Sequence, residues 1–475
     1  MIWRTAWKNV WRNKIRSLVV ISSVTVGIFA GVFSVALMDG MIAQRVDAAL
    51  NEEISHIQIN NKDFRINNDP RLLIENSGEV LSRIRSVDGI SGICERTIIT
   101  GMANTASKSV GIQIVGIDED MEKQVFTLNR KIMPGTGDYF ERESKFYLAL
   151  IGLDLAKELN IVRYFIDTLT ISRLKEKGLP VNVITKLEPL SGKRFSSEKQ
   201  FIKKIKTLFT SGELKRYEML IRNEARSFRE GTRFTLTFLD KENNQVGAVF
   251  RITGLYNISN SMFEKSTVFV RNGDLKKLAG IPDGDFHQVV VKISNIDQTE
   301  IITGKLAEKL PGLEVISWKK IQPDLALMTD MVGQFYLVFG LIILAALAFG
   351  IINTMLMVVL ERTRELGMLT AIGMNKKKVF SMIMLESVFL SLIGGVIGMI
   401  ISYIMIEITG KTGINFSGYE EGFEAIGYSP VIFPTINAGF FVIVTVLIIL
   451  TGVISSVYPA IKALKLNPVE AIRAE

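Results

Sequence analysis

Four stretches of the chain run for twenty residues or more without a charged side chain, and between the first two lies a long segment of a different pattern. Residues 18–38, 331–360, 387–406 and 425–461 are uncharged throughout. A helix needs about 20 apolar residues to cross a hydrocarbon layer ~30 Å thick. Pro430 and Pro434 interrupt helical geometry, so the last span is placed at 436–457. The expected spans are therefore 18–38, 335–360, 379–408 and 436–457. The first is read as an uncleaved signal anchor, because its apolar run exceeds the ~7–15 residues of a signal-peptide core.

Between the first and second spans, residues 39–334 alternate apolar and polar positions at two different periods. Strands are expected at 56–60, 110–115, 235–238, 249–255, 267–270, 288–293 and 313–316. Helical spacing marks 39–54, continuing from the first span, and 319–332, leading into the second. The two would form a stalk. The predicted fold class is a membrane protein with four transmembrane α-helices, one followed by three, and a large α+β extracytoplasmic domain between the first and second.

Composition agrees with apolar spans joined to a water-exposed domain: 48% of residues are hydrophobic, 22% are charged and the formal net charge is +8. The one cysteine, Cys94, excludes an intramolecular disulfide framework. Lysine and arginine flanks set the expected orientation. Arg4, Lys8, Arg12, Lys14 and Arg16 precede the first span, and Lys376, Lys377 and Lys378 close the link 361–378. Lys462, Lys465 and Arg473 lie in the tail 458–475, whereas the loop 409–435 has one lysine against three glutamates. Both termini are expected in the cytoplasm. Trp3, Trp7 and Trp11 share one stripe of residues 1–17, which suits a helix lying on the inner membrane surface.

Charge is scarce inside the spans. Glu386 lies about two turns into the third, and it is expected to snorkel or to cap rather than to pair with another helix. No row of polar groups lines a path, so the spans read as mechanical rather than conductive. Gly27 with Gly31, and Gly394 and Gly395 with Gly398, provide small residues four apart. Such spacing permits close helix contact, although glycine is also common in membrane helices. In the link, Leu366, Leu369, Thr370 and Ile372 share a helical face, and Gly367 and Gly373 allow close approach or a stop. The expected role is docking into a groove of another protein.

The link motif Glu361, Arg362, Thr363, Arg364, Glu365, Leu366, Gly367, followed by Leu369, Ala371, Ile372 and Gly373, resembles the FtsX-like (MacB/LolC-type) permeases of ABC transporters. The opening Ala6 to Leu18, the glycines at 394–398 and the ending Tyr458 to Arg473 are similar to that family as well. The resemblance implies a permease subunit in a bacterial inner membrane, paired with a second, identical or different, permease subunit on a cytoplasmic ABC ATPase dimer. The link would be the coupling helix. ATP and Mg2+ would belong to the ATPase, since this sequence has no G-x-x-x-x-G-K-[ST] phosphate loop and implies no cofactor of its own. Residues 311–323, with Trp318, resemble the lipoprotein-releasing branch. That implies lipoprotein cargo, a periplasmic carrier or adaptor, and contact with membrane lipids. An efflux permease of the MacB kind and a signalling permease that activates a cell-wall hydrolase are the alternatives.

Against that family, residues 161–228 read as an insertion, with 15 lysines or arginines and 7 acids. A solvated helical subdomain is the plainer reading; a basic patch at Lys203, Lys204 and Lys206 for lipid headgroups, an acidic partner or cargo is the sharper one. Nucleic acid is not expected on that side of a membrane. Neither catalysis nor a metal site is expected: His56 and His287 stand alone, and Asp118 and Asp120 read as a turn.

Overall fold

The computed structural model describes residues 2–140, 144–195, 197–229 and 231–464. The end of the tail 458–475, and with it most of the closing motif, lies outside these residues, as does the side chain of Ala371. The chain divides into a helical unit (1–44, 327–416 and 431–475) and a sheet unit (45–326 and 417–430).

The helical unit contains four helices long and apolar enough to cross a membrane. They span Lys14–Ala48, Val332–Glu361, Lys376–Thr412 and Ala438–Leu464. The last starts after Pro430 and Pro434 as expected, but runs on through Pro459. The glycines are where helices approach one another. A Cβ on Gly394 would lie 2.8 Å from the Ile21 carbonyl oxygen, and one on Gly398 would lie 2.9 Å from that of Thr25. Thr25 Oγ1 donates to the Gly394 carbonyl at 3.0 Å across the same seam. Gly27 and Gly31 instead receive Leu347 and Ile343 of the second long helix. The first helix is thus held by the third on one side and the second on the other, with no room for larger residues.

In the sheet unit, nine strands form one sheet: β1 (Ile57–Asn61), β2 (Ile90–Asn104), β3 (Ser109–Ile117), β4 (Tyr147–Gly152), β5 (Arg233–Leu239), β6 (Gln245–Tyr256), β7 (Thr267–Arg271), β8 (Gln288–Ile293) and β9 (Leu313–Ser317). Their order is β9-β1-β8-β2-β3-β7-β4-β6-β5, and β5 pairs back onto the far end of β2 at residues 101–104. Six strands therefore close on themselves, while β8, β1 and β9 extend from the near half of β2. Closure removes the exposed edge that β5 would otherwise present.

Strand β2 was not anticipated. Its alternation is masked by Gly92 and Gly101 and by Arg96, whose guanidinium is buried against Glu122 and lies 4.0 Å from the Phe126 ring. The helix expected at 319–332 is three pieces: Trp318–Ile321, Pro323–Asp330 and the start of the second long helix at Val332. Pro323 lacks the amide hydrogen that a continuous helix would use there.

Residues 163–227 form a small subdomain of the sheet unit. Three short strands, Arg163–Phe165, Arg194–Phe195 and Arg226–Ser227, carry helices including Thr168–Glu176, Glu198–Lys206 and Ser211–Ala225. Phe201 and Ile205 are buried, and Phe201 stacks on Tyr164 at 5.1 Å, so the segment has its own apolar centre, continuous with one face of the sheet.

Candidate functional site

The link between the second and third long helices is the best-defined candidate. The second helix ends at Glu361 with Arg362 outside helical geometry, and Thr363–Ala371 forms a separate short helix. Thr363 Oγ1 donates to the Leu360 carbonyl at 2.6 Å, which fixes the break. Gly373 takes a φ of +93°, a conformation that costs glycine little, and the Met374 amide donates back to the Leu369 carbonyl. Asn375 then caps the third helix, its Oδ1 accepting from the Lys377 amide at 2.9 Å.

The link helix does not present its apolar residues on a single outward face. Leu366 is buried in the core of the helical unit and Leu369 is packed against it, whereas Met368 and Ile372 are exposed, Ile372 by 79%. The expectation that Leu366 and Leu369 would dock outward with Ile372 is therefore corrected. Leu366 anchors the helix inside its own unit, and the left-handed turn at Gly373 follows directly after Ile372. Glu361 and Arg364 are exposed, and Gly367 is buried.

A chain of charged groups ties this helix to two others. Arg12 donates through Nη1 to Glu365 Oε2 at 2.8 Å, and its Nη2 contacts Oε1. Arg362 donates through Nε to the same Glu365 oxygen at 3.2 Å, and through Nη1 to Glu386 at 3.2 and 3.4 Å. The bonds from Arg12 and then Arg362 hold the Glu365 carboxyl below its ordinary range. The Arg12 end is solvent-exposed, so it orients more than it stabilises. Glu386 and Arg362 are largely buried. Glu386 is thus paired with the link rather than snorkelling, because Arg362 reaches it from the break between helices.

The N-terminal helix Ile2–Arg12 completes the arrangement. Ala6 and Val10 are buried. Trp3 and Trp7 meet Phe389 edge-on at ring separations of 4.7 and 5.4 Å. Phe389 lies one turn along from Glu386, so the tryptophan stripe grips the third helix beside the buried pair. The sequence placed those indoles at headgroup depth; each stays at least 44% exposed while making this contact. The sequence assigns Arg12 to the basic flank that orients the first span and faces anionic lipid, and does not announce Glu365 as its partner. The cue to its partner was its place next to the tryptophan stripe, with Glu365 in a basic link.

The remaining candidates lie elsewhere. Lys203 and Lys206 line a groove of the sheet unit, and Lys204 does not. Among the described residues no cluster of three histidine, cysteine, aspartate or glutamate side chains could hold a metal. His287 is buried, accepting from the Ile98 amide through Nδ1 at 3.1 Å, with Nε2 against the Pro70 carbonyl at 3.1 Å. Burial lowers its pKa to about 4, and that of His56 likewise to about 4. Cys94 is buried, and burial pushes its thiol up. Asp118 caps Glu119–Val125, accepting from the Asp120 and Met121 amides.

Comparison with known proteins bears on the helical unit first. Residues 337–468 match the FtsX-like permease C-terminal family. The chain is similar to the uncharacterized ABC transporter permease YknZ of Bacillus subtilis, 28% identical over 242 residues that cover 48% of this chain and 54% of YknZ. It is 36% identical to the ABC transporter permease YtrF of Bacillus subtilis over 148 residues, 30% of this chain and 33% of YtrF. It is 28% identical to the macrolide export ATP-binding/permease protein MacB of Rhodopirellula baltica over 202 residues, 40% of this chain and 27% of MacB. The chain spans about half the length of the first of these relatives. The crystal structure of the extracellular domain of YknZ from Gram-positive bacteria aligns with 55% of this chain and 98% of that domain, at 11% identity and a TM-score of 0.29. That score is too low to carry weight. The link helix and the last three long helices are thus the part of the chain that matches an FtsX-like permease C-terminal region.

Proposed function

We propose that the chain is the membrane subunit of an ABC transporter, in which a partner ATPase dimer moves the link helix Thr363–Ala371 and a second permease subunit completes the assembly. The observation that carries this reading is the charged chain Arg12, Glu365, Arg362 and Glu386, which ties the link helix to the N-terminal helix and the third long helix. A push on the link therefore acts on Glu386 and on the seam that Gly394 and Gly398 form with the first helix. Exposed Met368 and Ile372 are the apolar contacts offered to the ATPase. ATP and Mg2+ reside in that partner. In this reading both termini are cytoplasmic, the membrane is a bacterial inner membrane, and the sheet unit works on its outer side.

The cargo reading is lipoprotein release toward the outer membrane with a periplasmic carrier, supported by the likeness of residues 311–323 to that branch. Trp318 is buried there, its amide donating to the His56 carbonyl at 2.8 Å. The second reading, efflux with a periplasmic adaptor, is favoured by the similarity to MacB, whose name describes macrolide export. Depletion of the protein followed by membrane fractionation separates the two. Lipidated proteins retained at the inner membrane support release. Unchanged sorting with raised macrolide sensitivity supports efflux.

A further inference from the structure

A groove of about 1100 Å³ in the sheet unit is walled on one side by the helix Glu198–Lys206. Phe201 and Ile205 turn inward to the core, which leaves Lys199, Ile202, Lys203 and Lys206 on one face. These positions fall at i, i+3, i+4 and i+7, so three ammonium groups stand side by side. Lys265 faces them from the helix Ser261–Ser266.

Three acids of the groove bond to groups other than Lys199, Lys203 and Lys206. Asp154 is bonded to Lys157 and Ser261, Glu158 pairs with Lys108 at 3.8 Å, and Glu198 accepts from Arg222 at 3.0 Å and from the Tyr164 hydroxyl at 2.9 Å. Glu424 lines the groove as the remaining acid. Among the described residues, Lys199, Lys203 and Lys206 take part in no ion pair, and the Lys265 charge acts on the Asp154 carboxylate. Like charges at helical neighbour spacing repel one another, and an anion placed between them relieves that repulsion. The groove also has apolar surface: Ile202 lies between the lysines, and Met262, 74% exposed, lies beside Lys265. Its volume exceeds what a bare inorganic ion needs and lies just above the ~300–1,000 Å³ typical of sites for organic ligands.

We propose that this groove binds a phosphate-bearing amphiphile, its phosphate held by Lys199, Lys203 and Lys206 and its apolar part lying along Ile202 and Met262. The site is independent of the permease reading, and either can fail without the other. The same phosphate chemistry is offered by a lipid headgroup and by free phosphate, so the test includes both.

The full chain in phosphatidylcholine nanodiscs is titrated calorimetrically with dihexanoyl phosphatidic acid, inorganic phosphate and dihexanoyl phosphatidylcholine. Saturable binding of the phosphatidic acid is expected, weaker by about tenfold or more in Lys199→Gln/Lys203→Gln/Lys206→Gln and unchanged in Lys204→Gln. Competition by inorganic phosphate identifies the phosphate group alone as sufficient; failure to compete assigns the apolar part a share. If the triple variant unfolds early, Lys203→Gln alone is read, with a several-fold loss expected. Equal affinity in parent and triple variant overturns the proposal, as does an equal loss in Lys204→Gln, which would mean only a general response to net charge. Phosphatidylcholine binding as tight as phosphatidic acid overturns it too.

Discussion

Arg362 holds Glu386 through one guanidinium nitrogen at 3.2 and 3.4 Å, across 24 residues of sequence and the break between two long helices. Both side chains are largely buried. Removing one partner of a buried pair leaves the other charge uncompensated, at a cost of about 3 kcal/mol or more. Arg362→Ala is therefore expected to lower the thermal midpoint in detergent by several degrees. The exchanged pair Arg362→Glu with Glu386→Arg should recover part of that loss. If Arg362→Ala melts with the parent, the pair has no structural role.

The helix seam gives a second expectation. Gly394→Leu places atoms where the Ile21 carbonyl and the Val24 side chain already stand, each 2.8 Å from a first added carbon. Overpacking of this kind costs about 1–3 kcal/mol. Gly350 meets nothing within 4 Å, so Gly350→Ala should be neutral or stabilise by about 0.5–1 kcal/mol. Thermal unfolding of both variants checks the contrast, and equal behaviour would contradict the packing described for the first and third helices.

The sheet unit carries a pH dependence of defined sign. Burial, then the nearby Asp154 charge, raises the Glu264 carboxyl from its ordinary 4.5 to about 8, against the favourable bonds from the Ile258 and Asp154 amides. The folded chain then holds a proton that the unfolded chain releases between those values. Stability contributed by Glu264 is greatest at low pH and falls as pH rises through that window, by at most about 1.4 kcal/mol per unit. The two buried histidines act in the opposite sense, losing stability as pH falls from about 6.5 toward 4. The clean interval is therefore pH 6.5 to 8. There the parent midpoint should fall with rising pH and that of Glu264→Gln should stay flat. Parallel curves would contradict a protonated Glu264.

The elements written in strong periodicity were legible. The four long helices declare themselves by uncharged length, β1 by the alternation of Ile57 and Ile59 with polar residues, and β7 and β8 by their clustered valines. Residues 163–227 stand out by their charge, and they carry a separate three-stranded sheet. What stayed hidden was pairing across distance. Strand β2 conceals Arg96, because a buried cation is tolerated only once Glu122 lies against it, and nothing near Arg96 in sequence announces that partner. The same holds at the link. Helical spacing alone cannot tell which side of Leu366 and Ile372 meets the core, and Glu386 reads as an isolated acid until the break at Arg362 brings a guanidinium to it. The basic patch was legible as a helix face, but its limits were not. Lys199 belongs to the groove and Lys204 does not.

The central claim is that ATP-driven motion enters through the link. The direct measurement is ATP hydrolysis and cargo release by the complex purified from native membranes, comparing the parent with Glu361→Lys/Glu365→Lys. Reversing the charge at 365 sets a lysine against Arg12 and Arg362 and breaks the chain that leads to Glu386. The account predicts that the double variant stays in the membrane while its ATP-dependent release falls to background. Release at the parental rate would contradict it.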